Sequence, residues 1–127
     1  MYYNVFANNP TSNVFALYQG ERENWVPMWT IINSEIDNLS LKMNLNLDKN
    51  GNIFKVDSKN AEIIGNILKD VLGIEKYNDK IRNIEYYKSK HNNLMQNYDI
   101  KSNFEFDIDL IKEFSYFCIN SGGFKVL

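Results

Sequence analysis

The feature that most constrains the fold of this chain is its closing segment, residues 107–124, where a helical apolar pattern runs into a Ser-Gly-Gly turn. Acidic residues favour a helix start, so we expect a helix that begins at Asp107 or Asp109. A left-handed cap at Ser121-Gly122-Gly123 is predicted to end it and to let Phe124 turn back to the core. Its apolar residues recur three or four apart and mark one buried face: Leu110, Ile111, Phe114, Phe117 and Cys118.

Earlier parts of the chain predict three more helices and two pairs of antiparallel strands. Alternating apolar and polar residues and the turn at Asn50-Gly51 indicate a hairpin. Asn24 and Pro27 suit the start of the first helix. Strands are predicted at 2–7, 14–18, 39–47 and 53–56. Helices are predicted at 25–39, from 57 or 58 to 72, and along 77–98. Together these elements predict a single α+β domain over residues 1–127, with a polar, protruding helical segment at 75–103.

Composition limits the classes of partner. A chain of 127 residues with 44% hydrophobic residues is long enough to bury a core. The net charge of -2 gives no general attraction to nucleic acid. The single cysteine excludes an internal disulfide, and neither a signal peptide nor an apolar run of about 20 residues is found. We therefore expect a cytoplasmic protein that binds neither membranes nor nucleic acid.

Few residues suggest catalysis. One cysteine and one histidine, Cys118 and His91, cannot make a zinc site, and both fall on helical stripes. The pair Asp107 and Asp109 is explained by helix capping. Neither of the glycine-rich nucleotide motifs occurs. We therefore expect no cofactor, no metal and no enzymatic activity; an enzyme that uses Cys118 or the two aspartates is the least favoured hypothesis.

Two features are candidate ligand contacts. Trp25 and Trp29 lie one helical turn apart, and each indole brings a large ring with one N–H donor. The backbone N–H groups of Ser121, Gly122 and Gly123 are little obstructed and suit a phosphate or carboxylate. The alternatives are a core position for the two tryptophans and a simple helix stop for the turn.

The ending Phe114-Ser-Tyr-Phe-Cys-Ile-Asn-Ser-Gly-Gly-Phe124 resembles the C-terminus of a widespread family of small, uncharacterised bacterial and phage proteins. An early Trp-x-x-x-Trp helix and an Asn-Gly turn add to the resemblance. Some relatives carry a Cys-x-x-Cys insertion that this chain lacks, so no metal is implied. The resemblance implies that the following positions converge on one ligand pocket: Trp25, Trp29, Asn50, Gly51, Ser121, Gly122, Gly123 and Phe124.

The favoured function is a non-enzymatic intracellular binding or inhibitor protein of the kind that phages and mobile elements use against host defences. It would occlude a host protein or sequester a signalling nucleotide, with a pocket formed by a homo-oligomer. For a nucleotide, Trp25, Trp29 or Phe124 would stack on the base, and Arg22 or Lys125 would meet the phosphate. The alternative is a structural or regulatory accessory module with no small ligand.

Overall fold

The computed structural model describes residues 2–38, 46–47, 53–72, 92–98 and 108–127 of the chain. Within these residues the fold is α+β, as the sequence predicts, and helices pack against an antiparallel sheet. The strands are β1 (Tyr2–Ala7), β2 (Leu17–Glu21), β3 (Asn46–Leu47), β4 (Ile53–Val56) and β5 (Phe124–Val126). The helices are α1 (Arg22–Asn38), α2 (Ser58–Leu72), α3 at residues 92–97 and α4 (Ile108–Asn120). A 3₁₀ helix at Asn13–Phe15 joins β1 to β2.

The three-residue strand β5 lies at the centre of the sheet. The strand order is β2-β1-β5-β4-β3, and β5 is antiparallel to both of its neighbours. Phe124 lies opposite Ala7 of β1 and opposite Val56 of β4. Beyond the strand, the Leu127 N–H donates to the Asn4 carbonyl at 2.9 Å. These few residues therefore join the N-terminal strand pair and the β3–β4 hairpin into one sheet.

The start of α1 differs from the sequence prediction. The helix begins at Arg22, directly after β2, so Asn24 lies inside its first turn and Pro27 lies in its interior. Proline has no N–H, so this position loses one hydrogen bond to the preceding turn. The Pro27 side chain is fully buried. Because no loop separates β2 from α1, the chain turns before Asn24, and the predicted cap is wrong.

The predicted third helix is confirmed where it is described. Residues 92–97 are helical, and Leu94 is buried. The Tyr98 hydroxyl donates to Glu35 Oε1 of α1 at 2.6 Å. Burial, this hydrogen bond and the charge of Glu35 together raise the pKa of Tyr98. Most of the polar segment predicted to protrude at 75–103 lies outside the described residues.

Helices α2 and α4 approach each other closely at a glycine. A Cβ on Gly65 would lie 2.8 Å from the Ser115 carbonyl oxygen and 2.6 Å from Ile119 Cγ1. The buried Ser115 hydroxyl donates to the Gly65 carbonyl at 2.8 Å. The absence of a side chain at Gly65 therefore sets the distance between the two helices.

Gly65→Ala is expected to lower the free energy of unfolding by about 1–2 kcal/mol. The added Cβ meets a backbone oxygen, so the overlap should cost about 2–3 kcal/mol, and a helix-propensity gain of about 1 kcal/mol offsets part of it. Asn66 is exposed on the same helix, so Asn66→Ala brings a propensity gain without overlap. Urea denaturation of the two variants measures the difference. A Gly65→Ala protein as stable as the wild type would contradict the close contact.

Candidate functional site

The Ser-Gly-Gly turn after α4 is built into the protein interior. Gly122 and Gly123 have φ angles of +67° and +96°, as a left-handed helix end requires. A Cβ on Gly122 would lie 2.6 Å from the Asn9 carbonyl oxygen. One on Gly123 would lie 2.9 Å from the carbonyl oxygen of Val56. Two chain segments therefore cover the turn, and Ser121 is completely buried.

The polar groups of this turn bind one another and the loop after β1. The Ser121 hydroxyl donates to the Cys118 carbonyl at 2.9 Å and accepts from the Gly123 N–H at 3.2 Å. The Asn8 and Asn9 N–H groups donate to the carbonyls of Gly123 and Ser121, each at 2.8 Å. Because the Gly123 N–H is already bonded within the turn, it is not presented to an anion in this conformation.

Trp25, Trp29 and Phe124 meet in the core. All three are at most 8% exposed. Their ring centroids lie 5.6, 6.1 and 5.8 Å from that of Phe114 on α4, each in an edge-on arrangement. Trp25 also stacks on Tyr3, with ring centroids 4.9 Å apart. These three aromatic candidates therefore meet around a buried phenylalanine.

The indole N–H of Trp29 is a buried polar group within this aromatic packing. Among the described residues it finds no hydrogen-bond acceptor. Its ring lies edge-on to Trp25 and Phe114, both of which are buried. The tryptophans thus occupy the core position that the sequence left open as an alternative, and ligand binding by them stays a prediction.

Several other candidate residues lie outside the described part of the chain. Asn50, Gly51, His91 and Asp107 belong to segments that the structure does not describe, as does the side chain of Arg22. Asp109 lies in the first turn of α4, where the sequence places it.

The only cysteine is a poor nucleophile in this fold. Cys118 is 1% exposed and belongs to the apolar core. Burial raises the pKa of the Cys118 thiol well above its ordinary value. The thiolate is the reactive form of cysteine, so this thiol stays protonated at neutral pH.

A row of exposed side chains crosses the face of the sheet that points away from the core. Strand pairing aligns Leu17 of β2 with Phe6 of β1, Phe6 with Lys125 of β5, and Lys125 with Lys55 of β4. Leu17 is 46% exposed, Phe6 is 36% exposed, and both lysines are exposed. The following neighbours along these strands are buried in the core: Val5, Tyr18, Val56, Phe124 and Val126. We call this row of four residues the open face.

The open face has an apolar half and a basic half. Leu17 and Phe6 form the apolar half, and the basic half borders a pocket of about 390 Å³. In the described part of the chain neither Lys55 nor Lys125 forms an ion pair. Asp57, at the rim of the pocket, accepts the Asn60 N–H at 2.8 Å and so caps α2. The basic half is therefore suited to an external carboxylate.

A second depression, of about 510 Å³, lies between the 3₁₀ helix and α4. Apolar side chains line part of this depression, and the charged residues Asp109, Lys112 and Glu113 also line it. Each of these three charged residues already has an interaction partner within the protein. Positive and negative groups alternate here, so this depression favours no one charge of ligand.

Sequence reasoning did not find the open face. It depends on which strands pair and in what register, and β5 is a strand of three residues that no periodic signal marks. The sequence offers the apolar, polar, apolar order of Phe124, Lys125 and Val126, and three residues are too few to establish a period.

Comparisons of the chain with protein-family models, curated proteins and solved structures find no match. The resemblance to small bacterial and phage proteins therefore stays a prediction. Of the described helices, none is both long and apolar enough to cross a membrane. The described residues also contain no group of three or more His, Cys, Asp or Glu side chains placed to hold a metal ion.

Proposed function

We propose that this protein is a non-enzymatic binding protein that occludes a protein partner with its open face. The observation that carries the proposal is the exposure of Phe6 and Leu17 side by side on a sheet whose other face is buried. Apolar side chains next to each other on a surface favour association with another macromolecule.

The proposal extends to an intracellular inhibitor of the kind that phages and mobile elements carry against host defences. The acidic composition, the single cysteine and the resemblance of the closing segment support this setting. A cytoplasmic location follows from the same proposal. The alternative is a structural or regulatory accessory module with no small ligand.

Sequestration of a signalling nucleotide has less support. The three aromatic rings that would stack on a base are buried: Trp25, Trp29 and Phe124. The turn that would meet the phosphate bonds to its own serine and to the loop after β1. A nucleotide would have to open the core before it could use these groups.

Affinity capture with matched variants tests the proposal. The double variant Phe6→Thr/Leu17→Thr removes the apolar half of the open face and keeps a good strand-forming residue at both positions. Val26→Ala is the control, because Val26 is 37% exposed on α1 and lies outside the open face. Each bait is first shown to have the wild-type melting temperature and is then incubated with lysate of the native host.

We expect a partner that the wild type and Val26→Ala retain and that the double variant loses, with about a tenfold or greater rise in Kd for the purified pair. Equal retention by the double variant would contradict the proposal. Capture of no protein by any bait, together with stabilisation by one nucleotide in a thermal-shift panel, would favour the sequestering alternative.

A further inference from the structure

The basic half of the open face carries two like charges where a sheet tolerates them poorly. Lys55 and Lys125 are direct partners in the β4–β5 register. Directly opposed residues have Cβ atoms about 5 Å apart, and like charges in such a pair are destabilising. The chain as a whole is acidic, with 16 Asp and Glu against 14 Lys and Arg. Two adjacent lysines therefore form a local charge of the opposite sign to the net charge.

No carboxylate among the described residues forms an ion pair with Lys55 or Lys125. Asp57 shares the pocket but uses Oδ1 to cap α2. On the other side of Lys125, Phe6 is its register partner, followed by Leu17. The charge is thus bounded by apolar surface.

We infer that the open face takes an acidic segment of a protein partner, with its carboxylates over Lys55 and Lys125 and an apolar side chain against Phe6 and Leu17. This inference rests on the proposed function and names the chemistry of the partner. A carboxylate placed between two lysines relieves their repulsion, so charge complementarity favours binding as well as orientation. Nucleic acid fits less well, because a polyanion repeats its charge along the whole strand and the apolar half offers no cation.

NMR titration of the full chain tests the inference without the natural partner. The probe is a seven-residue peptide in which glutamate and leucine alternate, Glu-Leu-Glu-Leu-Glu-Leu-Glu. The peptide with lysine in place of glutamate, inorganic phosphate and a thymidine oligonucleotide are the comparison probes, each added to about 1 mM, where weak binding is detectable. Lys55→Gln/Lys125→Gln is the test variant. Lys59→Gln, an exposed lysine on α2, is the control.

The acidic peptide is expected to shift the amide signals of Phe6, Leu17, Lys55 and Lys125, and added NaCl should weaken the effect. The double variant should bind about tenfold more weakly, since two exposed ion pairs of up to about 1 kcal/mol each are lost. Lys59→Gln should bind like the wild type.

Four results would overturn the inference. They are no shift with the acidic peptide, equal shifts with the lysine peptide, equal shifts with phosphate or the oligonucleotide, and unchanged affinity in the double variant. Because the capture experiment varies Phe6 and Leu17 and this one varies the lysines, the two can fail separately. A partner lost by Phe6→Thr/Leu17→Thr alongside a failed peptide titration would leave the proposed function standing without an acidic segment.

Discussion

Phe114→Ala is expected to lower the free energy of unfolding by about 3–5 kcal/mol, the range for deletion of a buried phenyl ring. Phe114 is fully buried. Its ring lies within 6.1 Å, centroid to centroid, of five other aromatic rings: those of Tyr18, Trp25, Trp29, Phe117 and Phe124. These rings come from β2, α1, α4 and β5. The variant thus opens a cavity at the point where four elements meet.

Phe6→Ala is the matched control for Phe114→Ala. It makes the same chemical change on β1, where the ring is 36% exposed, and should cost about 1 kcal/mol or less. Urea denaturation followed by tryptophan fluorescence reports directly on the cluster, because Trp25 and Trp29 belong to it. Equal losses from the two variants would show that Phe114 is not the centre of the core.

The sequence predicted elements that have a periodic apolar face, and it failed where the decisive contacts are long-range. Helices α2 and α4 were expected because their apolar residues recur at helical spacing. By contrast, β5 has three residues, too few to show a period. Its place between β1 and β4 depends on pairs more than 50 residues apart along the chain, such as Val56 with Phe124. No local pattern encodes such a pair.

In the candidate site, too, local features were predictable from the sequence and long-range contacts were not. A glycine stop after α4 was predictable, because Gly122 and Gly123 suit positive φ angles. The hydrogen bonds that Asn8 and Asn9 donate to this turn could not be predicted, because those two residues lie in a turn far away along the chain. Aromatic residues at helical spacing fit both a core and a ligand surface, so the sequence alone could not separate these two roles for Trp25 and Trp29.

Strand β5 contributes both to the core and to the open face within three residues. Phe124 and Val126 face the core, and Lys125 between them faces solvent on the open face. Stability and recognition therefore depend on neighbouring side chains that point in opposite directions. Substitutions along this one strand test the architecture and the proposed surface independently.

Phe124→Ala is expected to lower the free energy of unfolding by about 3–5 kcal/mol. The ring is fully buried and lies against Phe114 and Phe117, with centroids 5.8 and 6.0 Å away. Its backbone also sits between β1 and β4. Loss of the ring weakens the strand that joins both halves of the sheet, so the midpoint of urea denaturation should fall steeply.

Lys125→Ala is the control on the same strand. Its side chain is exposed, so stability should change by about 0.5 kcal/mol or less, and relief of the repulsion from Lys55 makes a small gain the expected direction. Lys125→Ala should weaken binding of the acidic peptide. Substitutions that leave the sheet folded and the open face intact should leave this binding unchanged. If Phe124→Ala instead cost less than about 1 kcal/mol and abolished partner binding, its ring would belong to a recognition surface, and the buried core described for it would be wrong.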